Sequence, residues 1–336
     1  MSEPHYLVIA PAWVGDMVMM QPLLTLLKQQ PCRITVLASP WGEGLLKRMP
    51  EVDAVLNLPF AHGDFQPLAR WQFGRSLRHL RFTHAIVLPN SWKSALIPLA
   101  AKIPVRTSWR GEFRYGLLND IRILEKARYP LMIERFLALG LPPDAPLPKP
   151  QWPKLQMTAD AVNAAVTKHG LTLTAPILAL CPGAEFGPAK RWPTEHFGAV
   201  ARDKIAEGWQ VWLMGSAKEK PLAAEIQAHS HDQCIDLTGK TSLAEVIDLL
   251  SVAKVVVCND TGLMHIAAAV ARPLVAVYGS SSPKFTPPLA THVDVATLNK
   301  SCSPCFARTC QFGHYACLQE LTPKRVLSGI ERLCGS

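Results

Sequence analysis

No apolar run in these 336 residues approaches the ~18 residues a membrane-spanning helix needs. The first residues show neither a basic start nor a small-residue cleavage site, so a secretory signal is not expected and the expected location is the cytoplasm. Motifs are missing as well. There is no Walker A sequence, no G-x-S-x-G, no H-E-x-x-H and no G-x-G-x-x-G after any predicted strand, which argues against P-loop, serine-elbow, zincin and dinucleotide-binding chemistry. Nor is there a D-x-D pair to hold a divalent cation, so any diphosphate bound here must be neutralised by protein groups. What remains is a globular composition, 49% hydrophobic and 18% charged, with nothing that suggests disorder and length for two ordinary domains.

The formal charge of +9 is concentrated. From Phe65 to Arg135 there are 13 Lys and Arg against 4 Asp and Glu, so this stretch alone carries an excess of nine and the rest of the chain is neutral. A patch of that kind attracts a polyanion: a nucleic acid, an anionic membrane or a phosphorylated glycolipid. Any single arginine in it also fits a plain solvated face. Nucleic acid is the weakest of these partners, because the patch has few aromatics and no recognised binding motif.

Strand-like runs alternate with helical patterns along the chain. In the first half the strands are expected over 6–10, 34–38, 54–58, 85–88 and 105–108; in the second half over 177–181, 211–214, 234–237, 255–258 and 274–277. Between the halves, "LGLPPDAPLPKPQWPKL" holds Pro142, Pro143, Pro146, Pro148, Pro150 and Pro153, too dense for a helix or central strand, and reads as a stiff linker. A closing helix is introduced by Thr322-Pro323 as cap and first position. The simplest assembly is α/β: two Rossmann-like halves, 1–155 and 156–321, facing across a cleft, with a C-terminal helix over 322–336.

Three turns carry chemistry. "HYLVIA" runs into "PAWVGDMVMM", where one glycine, Gly15, and an acid, Asp16, stand where a glycine-rich phosphate turn would be. From the residues alone Asp16 is either a helix cap or a general base. "CPGAEFGPAKRWP" offers Gly183 and Gly187 for close backbone approach and Lys190 and Arg191 for negative charge, or is a long surface loop with two incidental cations. "VVVCNDTGLMHIAAA" ends a buried strand and opens a helix through Asn259, Asp260, Thr261 and Gly262. The first helical amides have no backbone partner and form an anion site; Asp260 caps or takes part, and His265 faces core or cleft.

Of the nine cysteines, Cys32, Cys181, Cys234, Cys258 and Cys334 read as core or near-terminal residues. Cys302, Cys305, Cys310 and Cys317 form C-x2-C-x4-C-x6-C in a polar loop. Disulfides are not expected in a reducing compartment. The spacing leaves a structural zinc or iron–sulfur site as the minor reading beside a reduced loop, because it is not a standard two-knuckle pattern.

The blocks "PAWVGDMVM", "LPNSWKSAL", "RTSWRGEFRYGLLND", "CPGAEFGPAKRWP", "NDTGLMHIAAA" and "YGSSSPKFTPP" together resemble the ADP-heptose:lipopolysaccharide heptosyltransferase family, glycosyltransferase family 9, nearest its heptosyltransferase II branch. The resemblance implies a GT-B fold, an acceptor-binding first half and a donor-binding second half. It also implies transfer of L-glycero-D-manno-heptose from ADP-heptose to the first heptose of a lipid A-Kdo2-heptose acceptor, at the cytoplasmic face of the inner membrane, with inversion and without metal or other cofactor. By it, Asp16 is the base that deprotonates the acceptor hydroxyl. Gly183, Lys190, Ser216, Asp260, Thr261, Gly262, Leu263 and His265 hold the donor, and Asn90, Lys93, Arg106, Arg110, Arg114 and Tyr115 the acceptor. Lys93, Arg106, Arg110, Arg114 and Tyr115 are expected to cluster at the carboxyl edge of the first sheet, unless the arginines pair with Glu112 and Asp120. One departure concerns the ribose: the heptosyltransferase I branch carries a glutamate after the corresponding strand, where this chain has "GSAKEK", which leaves Glu219 or a backbone group. Two other classes remain open, a nucleotide-sugar epimerase or hydrolase of the same architecture and a non-catalytic nucleic-acid binder.

Overall fold

A computed structural model describes residues 3–61 and 63–335. The chain folds as two compact units, Met1–Pro153 and Lys154–Ser336. Each is built on a six-stranded, all-parallel sheet. The first contains β1 (His5–Ile9), β2 (Arg33–Ala38), β3 (Ala54–Asn57), β4 (His84–Val87), β5 (Val105–Trp109) and β6 (Asp120–Arg122) in the order β3-β2-β1-β4-β5-β6. The second contains β7 (Ile177–Cys181), β8 (Gln210–Leu213), β9 (Ile235–Asp236), β10 (Val255–Asn259), β11 (Leu274–Tyr278) and β12 (Val293–Thr297) in the order β9-β8-β7-β10-β11-β12.

The two orders are the same Rossmann order, and in each sheet the winding reverses between its first and fourth strands. The central strands are continuous apolar runs: all five residues of β7, β10 and β11 are buried, as expected for parallel strands covered on both faces. All ten expected strands are present, with ends shifted by a residue or two. The sequence reading missed β6 and β12, the sixth strand of each sheet.

Each missed strand is held by polar groups. In β6, Asp120 accepts from Thr107 Oγ1 at 2.8 Å and pairs with Arg122 at 2.8 Å. In β12, Asp294 is gripped by Arg325 at 2.6 Å and Arg332 at 2.5 Å, both from the helix Pro323–Cys334. That helix starts as expected, with Thr322 at the N-cap and Pro323 at the first position. It lays Val326 and Ile330 into the same core as Val255, Val257, Val275 and Val277. The proline-rich stretch from 142 to 153 has no helix or strand. No helix among the described residues is long and apolar enough to cross a membrane.

Candidate active site

In the second unit the chain leaves β7 through Pro182 and Gly183. A Cβ on Gly183 would stand 2.6 Å from Glu219 Cγ, so only glycine fits. Glu219 is buried after β8, and its Oε2 accepts from Ser216 N at 2.8 Å and Ser216 Oγ at 2.6 Å. Ser216 therefore gives its hydroxyl proton to a closed capping box with Glu219. The turn continues through Gly187, where a Cβ would approach the Arg308 carbonyl oxygen to 2.5 Å, and through the tight turn Pro188–Lys190.

Lys190 Nζ lies 2.5 Å from Asp260 Oδ2 and 5.1 Å from the centre of the Phe186 ring. Seventy residues separate the partners; what joins them is that β7 and β10 are neighbours at the point where the winding reverses. The side chain of Asp260 is 4% exposed and that of Lys190 18%. Beside them, buried Asn259 accepts from Trp192 N at 3.0 Å and donates to Pro182 O at 2.7 Å, tying the two turns together. Thr261 caps the helix Gly262–Ala269, accepting from Leu263 N at 3.2 Å. On that helix His265 is buried. Burial pushes its pKa down to about 4, Asp260 pulling up and Lys190 pushing down by less, so the imidazole is neutral at physiological pH. The crevice thus holds an ammonium–carboxylate pair at a helix N-terminus, where an anionic leaving group would meet the ammonium and the helix amides.

In the first unit Asp16 stands in the first turn of the helix Val14–Met19, directly after β1, and is half-buried. Asn90 and Lys93 follow β4, the strand next to β1; Asn90 is exposed, and Lys93 Nζ donates to Asp64 O at 2.9 Å. Arg110 is exposed just past β5, and Tyr115 is 54% exposed on the same loop. Two of the expected acceptor residues are placed differently. Arg106 sits at the amino end of β5, not at the carboxyl edge, and donates to Leu117 O at 2.8 Å and Ile103 O at 2.6 Å. Arg114 is 2% exposed and donates to Pro89 O at 2.8 Å, to Ser108 Oγ at 3.0 Å and to Trp109 O, so it braces the loops after β4 and β5 from within. The alternative that Arg110 and Arg114 pair with Glu112 and Asp120 is met only by a longer-range pull of Glu112 on Arg114: Glu112 accepts from Trp92 N at 2.6 Å, and Asp120 is taken by Arg122 and Thr107.

Sequence reasoning missed Trp192, and it read Asn259 only as a turn residue and Glu219 only as a candidate ribose contact, without the hydrogen bonds by which they fix this crevice. A buried asparagine at a strand end was the available signal. The cysteines at 32, 181, 234 and 258 are buried, as read. Cys302, Cys305, Cys310 and Cys317 line one small pocket with His314, Ala189 and Ser280. Amide N–H groups of residues 312–315, Tyr315 foremost, hold the Cys310 thiol below its usual pKa. Among the described residues no group of three or more His, Cys, Asp and Glu is arranged to hold a metal ion. The loop's visible role is support: Arg308 O accepts from Ala189 N at 3.1 Å, next to Lys190.

The family model for glycosyltransferase family 9 (heptosyltransferase) matches residues 70–316. Lipopolysaccharide heptosyltransferase 2 of Salmonella typhimurium is 45% identical over 97% of both chains. Lipooligosaccharide heptosyltransferase 2 of Haemophilus ducreyi is 42% identical over 97% of this chain and 98% of that one. Among solved structures, ADP-heptose lps heptosyltransferase II of Escherichia coli superposes with a TM-score of 0.89 at 43% identity, covering 98% of each chain. With two parallel Rossmann-like sheets of the GT-B kind and these relatives over nearly its whole length, the chain belongs to glycosyltransferase family 9, the heptosyltransferases.

Proposed function

We propose that this chain moves L-glycero-D-manno-heptose from ADP-heptose to the first heptose of the lipopolysaccharide inner core, inverting the anomeric carbon, at the cytoplasmic face of the inner membrane. The first unit takes the lipid A-Kdo2-heptose acceptor and the second the donor. Asp16 accepts the proton of the attacking hydroxyl. That oxygen bonds to the anomeric carbon from the face opposite ADP, and the bond to the β-phosphate oxygen breaks. Negative charge then grows on ADP, where Lys190 and the amides at the head of the helix Gly262–Ala269 stabilise it. The observation that carries the reading is the Lys190–Asp260 pair at the mouth of a helix, a cation held in place by a buried carboxylate where a diphosphate would lie. A fixed ammonium group there supports a metal-free reaction.

Asn90, Lys93, Arg110 and Tyr115 are the acceptor contacts this proposal retains. Arg106 and Arg114 act through the backbone they hold. Glu219, with one carboxylate oxygen engaged by Ser216, is offered as the group nearest Gly183 for the donor's ribose. The deciding experiment is mass spectrometry of products from ADP-heptose and lipid A-Kdo2-heptose, with and without EDTA. A product heavier by one heptose in both supports the proposal; consumption of ADP-heptose without acceptor supports the epimerase or hydrolase reading instead.

A further inference from the structure

The helix Pro67–Ser76 of the first unit has a firmly seated inner face. A Cβ on its Gly74 would stand 2.6 Å from Ile97 O and 2.7 Å from Ala100 Cβ, so the helix lies directly on the helix Trp92–Ala100. Arg70 is buried, donates to Phe65 O at 2.8 Å and Asp64 O at 2.9 Å, and lies 4.3 Å from the Phe60 ring centre. Leu77, in the turn that follows, is buried too.

The outer face is unlike an ordinary solvated helix. Leu68 is 69% exposed, and Trp71, Gln72 and Arg75 share its face at spacings of three, four and seven residues. Phe65, 56% exposed, extends the apolar end and touches the ring of Trp92 at 5.8 Å. Past Arg75 come Arg78, His79 and Arg81. From 65 to 81 there are four arginines and no acid. Arg78 bonds to a carbonyl oxygen, which accepts a hydrogen bond without cancelling the positive charge, whereas buried Arg70 also feels the Asp64 carboxylate and is no part of the exposed charge.

We infer that this face, Phe65, Leu68 and Trp71 with Arg75, Arg78 and Arg81, is the surface by which the protein docks on an anionic lipid leaflet. Apolar and aromatic side chains enter the headgroup boundary while arginines meet lipid phosphates, the division of labour of an interfacial helix. Charge complementarity selects an anionic occupant, and the exposed apolar side chains beside the arginines favour a lipid surface over a soluble anion. The surface also adjoins the acceptor side, because Lys93 is bonded to Asp64 O and Phe65 to Trp92. This inference rests on the proposal that the acceptor is lipid-anchored.

The test is co-sedimentation with vesicles of phosphatidylcholine containing 30% phosphatidylglycerol and with pure phosphatidylcholine vesicles. It is paired with turnover on a deacylated, water-soluble acceptor. The wild type is expected to bind the anionic vesicles only, and less at high salt. Leu68→Ser/Trp71→Ser is expected to lose roughly tenfold or more in vesicle binding, and Arg75→Glu about fivefold or more, given about fivefold per arginine at a membrane surface. Both should turn over the soluble acceptor as the wild type does, with unchanged melting temperature. Wild-type binding to neutral vesicles alone or to none, variants that bind like the wild type, or variants that lose turnover on the soluble acceptor would each overturn the inference. If the wild type binds anionic vesicles through this face but transfers no heptose to either acceptor, the docking surface stands and the proposed function falls.

Discussion

The two units share one strand order and differ in how far their cations outnumber their acids. The first, 1–153, has 18 Lys and Arg against 11 Asp and Glu; the second, 154–336, has 17 against 15. In the first, arginines 70, 78, 106 and 114 bond to backbone carbonyls, which fix their direction, while Asp64 acts on Arg70 and Glu112 on Arg114, and Lys28–Asp53, Lys47–Glu43, Arg122–Asp120 and Arg128–Asp144 form ion pairs. In the second, cations meet carboxylates: Lys190 with Asp260, Lys168 with Glu245, Lys218 with Glu185, Arg325 and Arg332 with Asp294. The first unit therefore offers a broad positive field, suited to a large polyphosphorylated ligand. The second offers one positioned ammonium group in a balanced surround, suited to a small dianion. Topology supplies the same crevice twice; side-chain pairing decides what each can take.

The sharpest way to separate the two crevices is Asp16→Asn. Nearly isosteric and unable to accept the proton, it is expected to lower turnover by ~100-fold or more while ADP affinity stays within about twofold. Calorimetry and steady-state kinetics on one preparation check this, and near-normal turnover would remove Asp16 from the mechanism. Next is Lys190→Ala, expected to weaken ADP binding by roughly 1.5–3 kcal/mol without rescue by magnesium. The same change strands a buried carboxylate and should lower the melting temperature. Adding Asp260→Asn should restore the melting temperature and leave ADP affinity weak; recovery of both would refute the charge role of Lys190.

A third effect centres on the second unit, although burial also lowers the pKa of His5 and His84 in the first. His265 has a folded pKa of about 4 against an ordinary 6.5. Between those values the unfolded chain binds a proton that the folded chain refuses. The His265 contribution should therefore fall as pH drops from about 6.5 to about 4, by at most ~1.4 kcal/mol per unit, while below that range protonation of the depressed carboxylates, Glu245 at about 2 among them, continues to lower stability. Denaturant titrations at pH 7, 6, 5 and 4 should show a slope that His265→Gln reduces. The smallest effect concerns the first unit's arginines. Arg110→Ala should raise the acceptor KM by roughly threefold to fivefold, more at low salt, with the donor KM unchanged. Arg114→Ala should instead cost about 2 kcal/mol of stability, because its buried acceptors lose their donor. If the two variants exchange these phenotypes, Arg114 is the ligand and the brace is elsewhere.

The inner strands were legible because parallel strands buried on both faces are written as short apolar runs between turn residues, and the edge strands β3 and β9 were legible from their short apolar stretches. β6 and β12 were not, because β6 is only three residues long and polar at both ends and the apolar residues of β12 are broken by Asp294, whose partners Arg325 and Arg332 lie on the closing helix. The turns at the candidate site were legible as turns with a cation and a helix start, but the contact between Lys190 and Asp260 is a product of strand order. The arginines show the limit most clearly. Arg106, Arg110 and Arg114 look alike in sequence, and whether a guanidinium faces a ligand or a carbonyl is set by loop geometry that local pattern does not encode.

The helix Pro323–Cys334 has a consequence for the order in which the protein can be made. All six strands of the second sheet emerge from the ribosome before the helix that covers Val275 and Val277 and neutralises Asp294. The first unit has all its residues once 153 are synthesised. The second must wait, apolar flank uncovered, until nearly all 336 exist. A nascent chain stalled near residue 320 would thus carry one finished unit and one sticky, unclosed sheet, the kind of intermediate that chaperones hold and proteases remove.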